Sequence, residues 1–222
     1  MKKILFSLAI VATFPVTGFA MEHDLSVSAG TTGFSAHVST PLSDKLSLRL
    51  GASLLAHDRS EQTRSVDYDF QLKLRTIDML LDYYPVDSGL RLTGGLMFNA
   101  NRIDAQGLPN ASGSYVINNR RYSAADAGRL DGRIDFRALA PYLGIGWGNK
   151  PQAGKGWGLT LDVGAMLQGR PRVALSTSGC ELPQPMCAQL AEDVSIERAS
   201  LSDKVDSFRV YPVIRAGATY RF

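Results

Sequence analysis

Beyond its first twenty residues the chain lacks any apolar run approaching the roughly 20 residues that a membrane-crossing helix needs, and its mean hydropathy is only -0.05. A helical membrane protein is excluded. It also lacks an excess of one charge: 24 Lys and Arg are set against 21 Asp and Glu, a formal +3, with the two signs interspersed rather than clustered. No nucleic-acid patch results. Cysteine is scarce, with Cys180 and Cys187 alone among 222 residues, and no histidine lies near them, which makes a metal site there a poor reading. What the chain does have is 45% hydrophobic residues, enough for a sizeable core in a single domain and incompatible with disorder throughout.

Lys2 and Lys3 precede an apolar stretch from Ile4 to Val16, and Gly18-Phe19-Ala20 supplies the small residues that a signal peptidase reads. Residues 1–20 are therefore expected to be a secretory signal peptide cleaved after Ala20, with residues 21–222 as the mature domain. The apolar run is too short, and is interrupted by Pro15, for a single anchoring helix. Cleavage removes two lysines and brings the net charge to +1.

The mature chain alternates. Leu46, Leu48, Leu50, Ala52, Leu54 and Ala56 share one parity, with Lys45, Ser47, Arg49, Gly51 and Ser53 on the other. The pattern returns at Leu90–Ala100, and in its longest form from Trp157 through Leu159, Leu161, Val163, Ala165 and Leu167 to Val173 and Leu175. Period two means strands. Two segments change face once: Val66, Tyr68, Phe70, Leu72 and Leu74 give way to Ile77, Met79, Leu81 and Tyr83, while Ile134, Phe136 and Ala138 give way to Leu139, Leu143, Ile145 and Trp147. One extra residue at each crossover, a β-bulge, would keep a continuous apolar face.

Short, turn-like connections at Ser43-Asp44, Pro85–Gly89 and Asn149–Gly156 alternate with long polar ones at His57–Ser65, Asp104–Gly132 and Ser178–Asp206. Leu25, Val27 and Ala29, then Phe34, Ala36 and Val38, form two further strands around Gly30-Thr31-Thr32-Gly33; if that tetrapeptide is a turn and not a bulge, the count is eight. The expected fold is all-β, an eight-stranded antiparallel up-and-down transmembrane barrel. Pro171 and Pro212 oppose it, since a closed sheet has no edge on which to place them.

The polar faces separate this from a soluble sandwich. Arg49, Lys73, Arg75, Asp78, Asp82, Arg91, Asp135, Arg137, Asp162, Arg209, Arg215 and Arg221 carry both signs opposite nearly pure aliphatic and aromatic faces. In a closed barrel these would point inward and pair, while the apolar face meets lipid. Closure satisfies every backbone amide, as a bilayer demands. Tyr83, Tyr84, Tyr142, Trp147, Trp157, Tyr220 and Phe222, at or near segment ends, are expected to form an aromatic girdle on the periplasmic side.

Phe208, Val210, Ile214, Ala216, Ala218, Tyr220 and Phe222 alternate to a terminal phenylalanine. That ending, behind a signal peptide, resembles the carboxy-terminal signature of bacterial outer-membrane barrels. With segments such as Ala140–Asn149 and Gly156–Asp162, the whole mature chain is similar in pattern to small barrels of the OmpA transmembrane-domain, OmpW and opacity-type surface proteins. The resemblance implies an outer-membrane location, contact with lipid and lipopolysaccharide, a monomer, delivery by periplasmic chaperones, and assembly machinery that reads Tyr220-Arg221-Phe222.

In an oxidising compartment Cys180 and Cys187 are expected to form a disulfide that pins the last loop. Leu190, Val194, Leu201 and Val205 recur at near-helical spacing within residues 188–205, a short helix in that loop. His23, His37 and His57 are the histidines available for catalysis. His37 shares an inward parity with Ser35 and Ser39, and His57, Asp58 and Ser60 can be drawn as a hydrolase site, but adjacent strand residues point to opposite faces. The glycines of Gly144-Ile145-Gly146-Trp147-Gly148 close a strand with no helix after it, so they form no dinucleotide fingerprint. No enzyme activity and no cofactor are expected. The leading expectation is a structural or surface barrel with a filled interior and long outer loops; the alternatives are a narrow pore or hydrophobic-solute channel, and a barrel enzyme modifying lipid A or phospholipid.

Overall fold

A computed structural model describes residues 23–61, 67–110, 112–148, 150–151 and 154–222. The expected signal peptide and Val66 lie outside the described residues. The strands are β1 (Asp24–Gly30), β2 (Gly33–Ser43), β3 (Leu46–Glu61), β4 (Asp67–Tyr83), β5 (Leu90–Asn99), β6 (Arg102–Leu108), β7 (Ser114–Ile117), β8 (Arg120–Ser123), β9 (Arg129–Asp135), β10 (Leu139–Trp147), β11 (Gly156–Leu167), β12 (Arg172–Ser178) and β13 (Val210–Arg221). Two helices join them, α1 (Ala124–Ala127) and α2 (Gln184–Val205).

Eight strands close a barrel in the order β1-β2-β3-β4-β5-β10-β11-β13, each antiparallel to its neighbours. Gly30 pairs with Gly33 across Thr31-Thr32, so the tetrapeptide is a hairpin turn. Gly33 sits at φ 90, and a Cβ there would lie 2.4 Å from the Leu54 carbonyl oxygen; glycine alone meets both demands. Leu25, Val27, Phe34, Leu50, Ile77, Leu92, Leu143, Leu159 and Ile214 all face outward and exposed. An apolar surface of this extent would drive a soluble protein to associate. On β5 it runs from Leu90 to Phe98, the roughly 9–11 residues by which a tilted strand crosses hydrocarbon.

Above that band one side of the wall continues. The upper part of β3 pairs with β4, then β4 with β6, β6 with β9, and β9 with β12, while β1, β2 and β13 stop lower. The expected bulge in the fourth strand is absent. Register between β3 and β4 is unbroken from Leu46↔Tyr83 to Glu61↔Tyr68, so Leu72 and Leu74 share the inward face with Thr76, Asp78 and Leu80. The second crossover keeps its register against β5 and β6 as well, with Leu139↔Phe98 below and Ile134↔Ile103 above. The apolar face does not bulge back to the outside; it moves to the inside of the sheet. Around the barrel apolar side chains point out, and along the upper wall they point in.

The long alternating run from Trp157 is two strands. Gln168–Pro171 interrupts it, with Gly169 at φ 70, and the pairing shifts by one residue between Tyr142↔Met166 and Asp135↔Arg172. Val173 and Leu175 consequently face inward, and Pro171 falls between strands. Pro212 is within β13, but β1 reaches only Arg215, and the Ile214 amide bonds the Thr31 hydroxyl at the end of that neighbour. The proline nitrogen two residues earlier points toward the same uncovered side, where no ladder bond is lost.

The expected polar loop at Asp104–Gly132 contains β6, the β7–β8 hairpin, α1 and the start of β9. Its Tyr115, Ile117, Tyr122, Ala127 and Leu130 form a core with Leu190 and Val194 of α2, with Leu175 and Cys180 packed against it. The last-loop helix is thus not short: it has 22 residues, and it packs on β12 and β7. Cys180 and Cys187 are joined by a disulfide at the start of α2, with a Cα–Cα distance of 6.1 Å.

Candidate functional site

The lumen is built by the inward parity of the eight barrel strands, and its lower part consists of paired charges. At the end where β1 starts and β13 finishes, Arg221 bonds Asp24 at 2.6 Å and the Pro151 carbonyl at 2.8 Å. Above it Arg49 on β3 reaches Asp162 on β11 at 2.9 Å and Asp82 on β4 at 3.0 Å. Arg91 on β5 bonds the same Asp162 and the Thr160 hydroxyl, both at 2.9 Å, and Thr93 donates to Asp82 at 2.6 Å. Two guanidinium groups and two carboxylates make a neutral quartet. On the other side of the lumen Asp78 is shared by Arg215 at 2.8 Å and His37 at 2.9 Å, while Arg215 also donates to Thr32 and Ser53. All these charged side chains are buried. Such ions are tolerable away from water only when paired and hydrogen-bonded.

Glycine makes room for the large groups. A Cβ at Gly51 would lie 2.1 Å from the His37 ring, and one at Gly144 would lie 2.5 Å from the Tyr142 hydroxyl. Tyr142 enters the lumen there and packs with Leu80, Met97, Ala140, Met166 and Val213, so the barrel is filled from wall to wall. The cavity among Asp24, Arg49, Asp82, Arg91 and Thr160 holds about 20 Å³, space for a water molecule and not for a solute.

Over this filling, Asn99 donates to Gln168 at 3.4 Å, and Gln168 to the Phe208 carbonyl at 2.9 Å. Above this polar rung lies an apolar chamber of about 180 Å³. Leu72, Leu74, Ile134 and Phe136 line it from the tall wall, and Val205, Phe208 and Tyr211 from the segment that leaves α2. It is the space created by the inversion of the sheet.

Of the twelve charged residues expected inside, Arg49, Asp78, Asp82, Arg91, Asp162, Arg215 and Arg221 lie in the barrel interior. Lys73, Arg75, Asp135, Arg137 and Arg209 do not. Lys73 pairs with Asp104 and Asp135 with Arg102 on the outer face of the tall wall, Arg75 and Arg137 are exposed there, and Arg209 bonds Asp206. Lys73, Arg75, Asp135 and Arg137 lie above the apolar band, where the polar face has become the outer one, and Arg209 lies in the turn before β13. Tyr84 and Tyr142 are buried inside, not in the girdle; Trp157, Tyr220 and Phe222 stack in sequence with ring centroids 5.1 Å apart, and the Trp147 indole bonds the Ser88 carbonyl at 2.9 Å. Asp24 was missed, although it shares parity with Ser26 and Ser28 on the polar side of β1. Among the described residues no cluster of His, Cys, Asp or Glu could hold a metal ion.

A further buried carboxylate orders the outer module. Tyr122 donates to Asp193 of α2, as do Asn118 at 2.8 Å and Arg120 at 3.4 Å. These donors, Tyr122 foremost, hold its carboxyl below the usual carboxylate range. A depressed carboxylate stabilises the fold above its unfolded value and loses that contribution as pH falls through the folded one. The amides of α2 should therefore lose dispersion and protection, as followed by NMR, below about pH 4, ahead of the barrel; Asp193→Asn should abolish the acid step.

Neither a protein-family model nor a curated protein matches the chain. Similar solved structures include two from Acinetobacter baumannii. Acinetobacter baumannii CarO is 23% identical over 90% of this chain and 97% of its own, with a TM-score of 0.55. Acinetobacter baumannii CarO2 is 19% identical over 91% and 99%, with a TM-score of 0.55. At these identities the likeness is one of fold. Closed by eight antiparallel strands, girdled by aliphatic side chains and matched along nearly its whole length by these structures, the chain has the fold of a small outer-membrane β-barrel.

Proposed function

We propose that the protein is a non-conducting surface barrel of the bacterial outer membrane, exported by residues 1–20 and monomeric. It holds a disulfide-pinned module of α2 and β7–β8 above the bilayer, and assembly machinery reads Tyr220-Arg221-Phe222 at its end. The observation that carries this reading is the lumen: Arg49, Arg91, Asp82 and Asp162 pair across it, and Tyr142 fills the section beside them. Opening a path would separate buried ion pairs, each at a cost of several kcal/mol. Because the polar groups that converge there are taken up by one another, the reading includes no catalysis.

A hydrophobic-solute channel is the second reading, and the apolar chamber favours it. The chamber ends below on the Asn99–Gln168 rung and the filled lumen, so a solute entering from above is held rather than passed. Proteoliposomes carrying the folded protein should swell in isotonic arabinose no faster than empty liposomes. Swelling that scales with protein content would replace the closed barrel with the channel.

A further inference from the structure

Directly above the apolar band the outer face of the tall wall is basic. Arg75 and Arg137 each stand one pleat above the last outward apolar residues of their strands, Ile77 and Leu139. The next row, aligned by the pairs Lys73↔Arg102, Arg102↔Asp135 and Arg172↔Asp135, holds Lys73, Arg102, Asp135 and Arg172. Asp104 and Arg133 lie above it. Among the described side chains of these rows, six cations thus meet two carboxylates. Asp104 is taken by Lys73 at 3.0 Å and Arg133 at 3.2 Å, and Asp135 by Arg102 at 3.2 Å. Arg75, Arg137 and Arg172 are exposed with no ion-pair partner among the described residues. This one-sided surplus occurs in a chain whose charges otherwise nearly balance; at the same height, outward positions of β1, β2 and β13 hold Ala29, Phe34, Pro212 and Ile214.

Below Arg75 the apolar surface is notched. Between β3, β4 and β5 the small side chains of Ala52 and Ala100 leave a groove of about 320 Å³ walled by Leu54, Ile77 and Phe98, with Arg75 at its upper end. The groove lies on the lipid-facing side and its lining is almost wholly apolar.

We infer that this face binds a phosphorylated lipid of the outer leaflet, with an acyl chain in the Ala52–Ala100 groove and the headgroup phosphate against Arg75, Arg137 and Arg172. The inference rests on the barrel spanning an outer membrane and not on the lumen being closed. Guanidinium forks suit phosphate oxygens, and the boundary between hydrocarbon and water is the level at which a lipid places its phosphate. Charge and groove together specify a ligand with an anionic head and an apolar tail.

The detergent-solubilised full-length protein can be tested by native mass spectrometry with three probes: bis-phosphorylated lipid A, the same lipid freed of phosphate, and inorganic phosphate. Lipid A should be retained at least about tenfold more than its phosphate-free form, as charge-assisted phosphate contacts require. R75Q/R137Q/R172Q should remove that preference, and Ala100→Trp should weaken retention by filling the groove, while Lys45→Gln, in the turn between β2 and β3 at the opposite end of the barrel, should change nothing. Heat-modifiable migration on gels confirms that each variant is folded and keeps a failure of the barrel distinct from a failure of the site. Equal retention of the two lipids, unchanged retention by the folded triple variant, or displacement of lipid A by millimolar inorganic phosphate would overturn the inference.

Discussion

Replacing Asp162 with asparagine should destabilise the barrel by about 3–5 kcal/mol, the usual cost of leaving a buried ion-pair partner uncompensated. Asp162 is the carboxylate that Arg49 and Arg91 share, so its loss leaves two buried guanidinium groups against Asp82 alone. The position is buried, which leaves little room for water to take over. Urea unfolding in detergent micelles, read by the shift between compact and extended gel forms, would measure it. The same quartet supplies an internal control: D162N/R91Q leaves the Arg49–Asp82 pair, with Nε to Oδ2 at 2.9 Å, intact and neutral, so the double variant should be more stable than D162N alone. A single variant within about 0.5 kcal/mol of wild type, the level of an ordinary surface change, would show that these charges do not hold the lumen closed.

Leu74 and Arg75 are neighbours whose substitution should have opposite consequences. Leu74 faces inward and is buried beside the chamber, while Arg75 is exposed on the outer face. Leu74→Asp places an unpaired charge against Leu72, Ile134 and Phe136 and should cost about 4 kcal/mol or more. Arg75→Asp should lie within about 0.5 kcal/mol of wild type. A bulge at this crossover would make both substitutions costly, because Leu74 would then face lipid and Arg75 the lumen. Chemical unfolding of the pair therefore tests the inversion of the sheet directly. Comparable effects from the two substitutions would contradict it.

That inversion also marks where reading the sequence stopped short. Alternation identified the barrel strands because side-chain parity is fixed by the pleat, and no long-range knowledge is needed to see that Leu46 to Leu54 share a face. A change of parity, as between Leu74 and Ile77, is ambiguous. It follows equally from an extra residue in the strand and from a change of solvent outside it, and only the partner register, Leu55↔Leu74, distinguishes them. The same ambiguity sent Lys73, Arg75, Asp135 and Arg137 to the wrong side of the wall. The opposite error occurred at Val173 and Leu175, where parity was unchanged but Gln168–Pro171 turned the strand over.

The outer module reads as polar loop in the sequence because its strands are short, four residues each in β7 and β8, and its core residues are too far apart to show a period. The pairing of one inward charge with another was equally hidden. Parity placed Asp78, Asp162 and Arg215 on the inner face, but which of them meet depends on the closure of the barrel, through which Arg49 contacts a residue 113 positions away.

The central claim is that the lumen is filled, and planar-bilayer recording of the purified, folded protein tests it most directly. The predicted result is a flat baseline with no reproducible conductance steps, at neutral pH and under voltages that leave the bilayer intact. Uniform single-channel steps that appear with the folded form and vanish after boiling would contradict it.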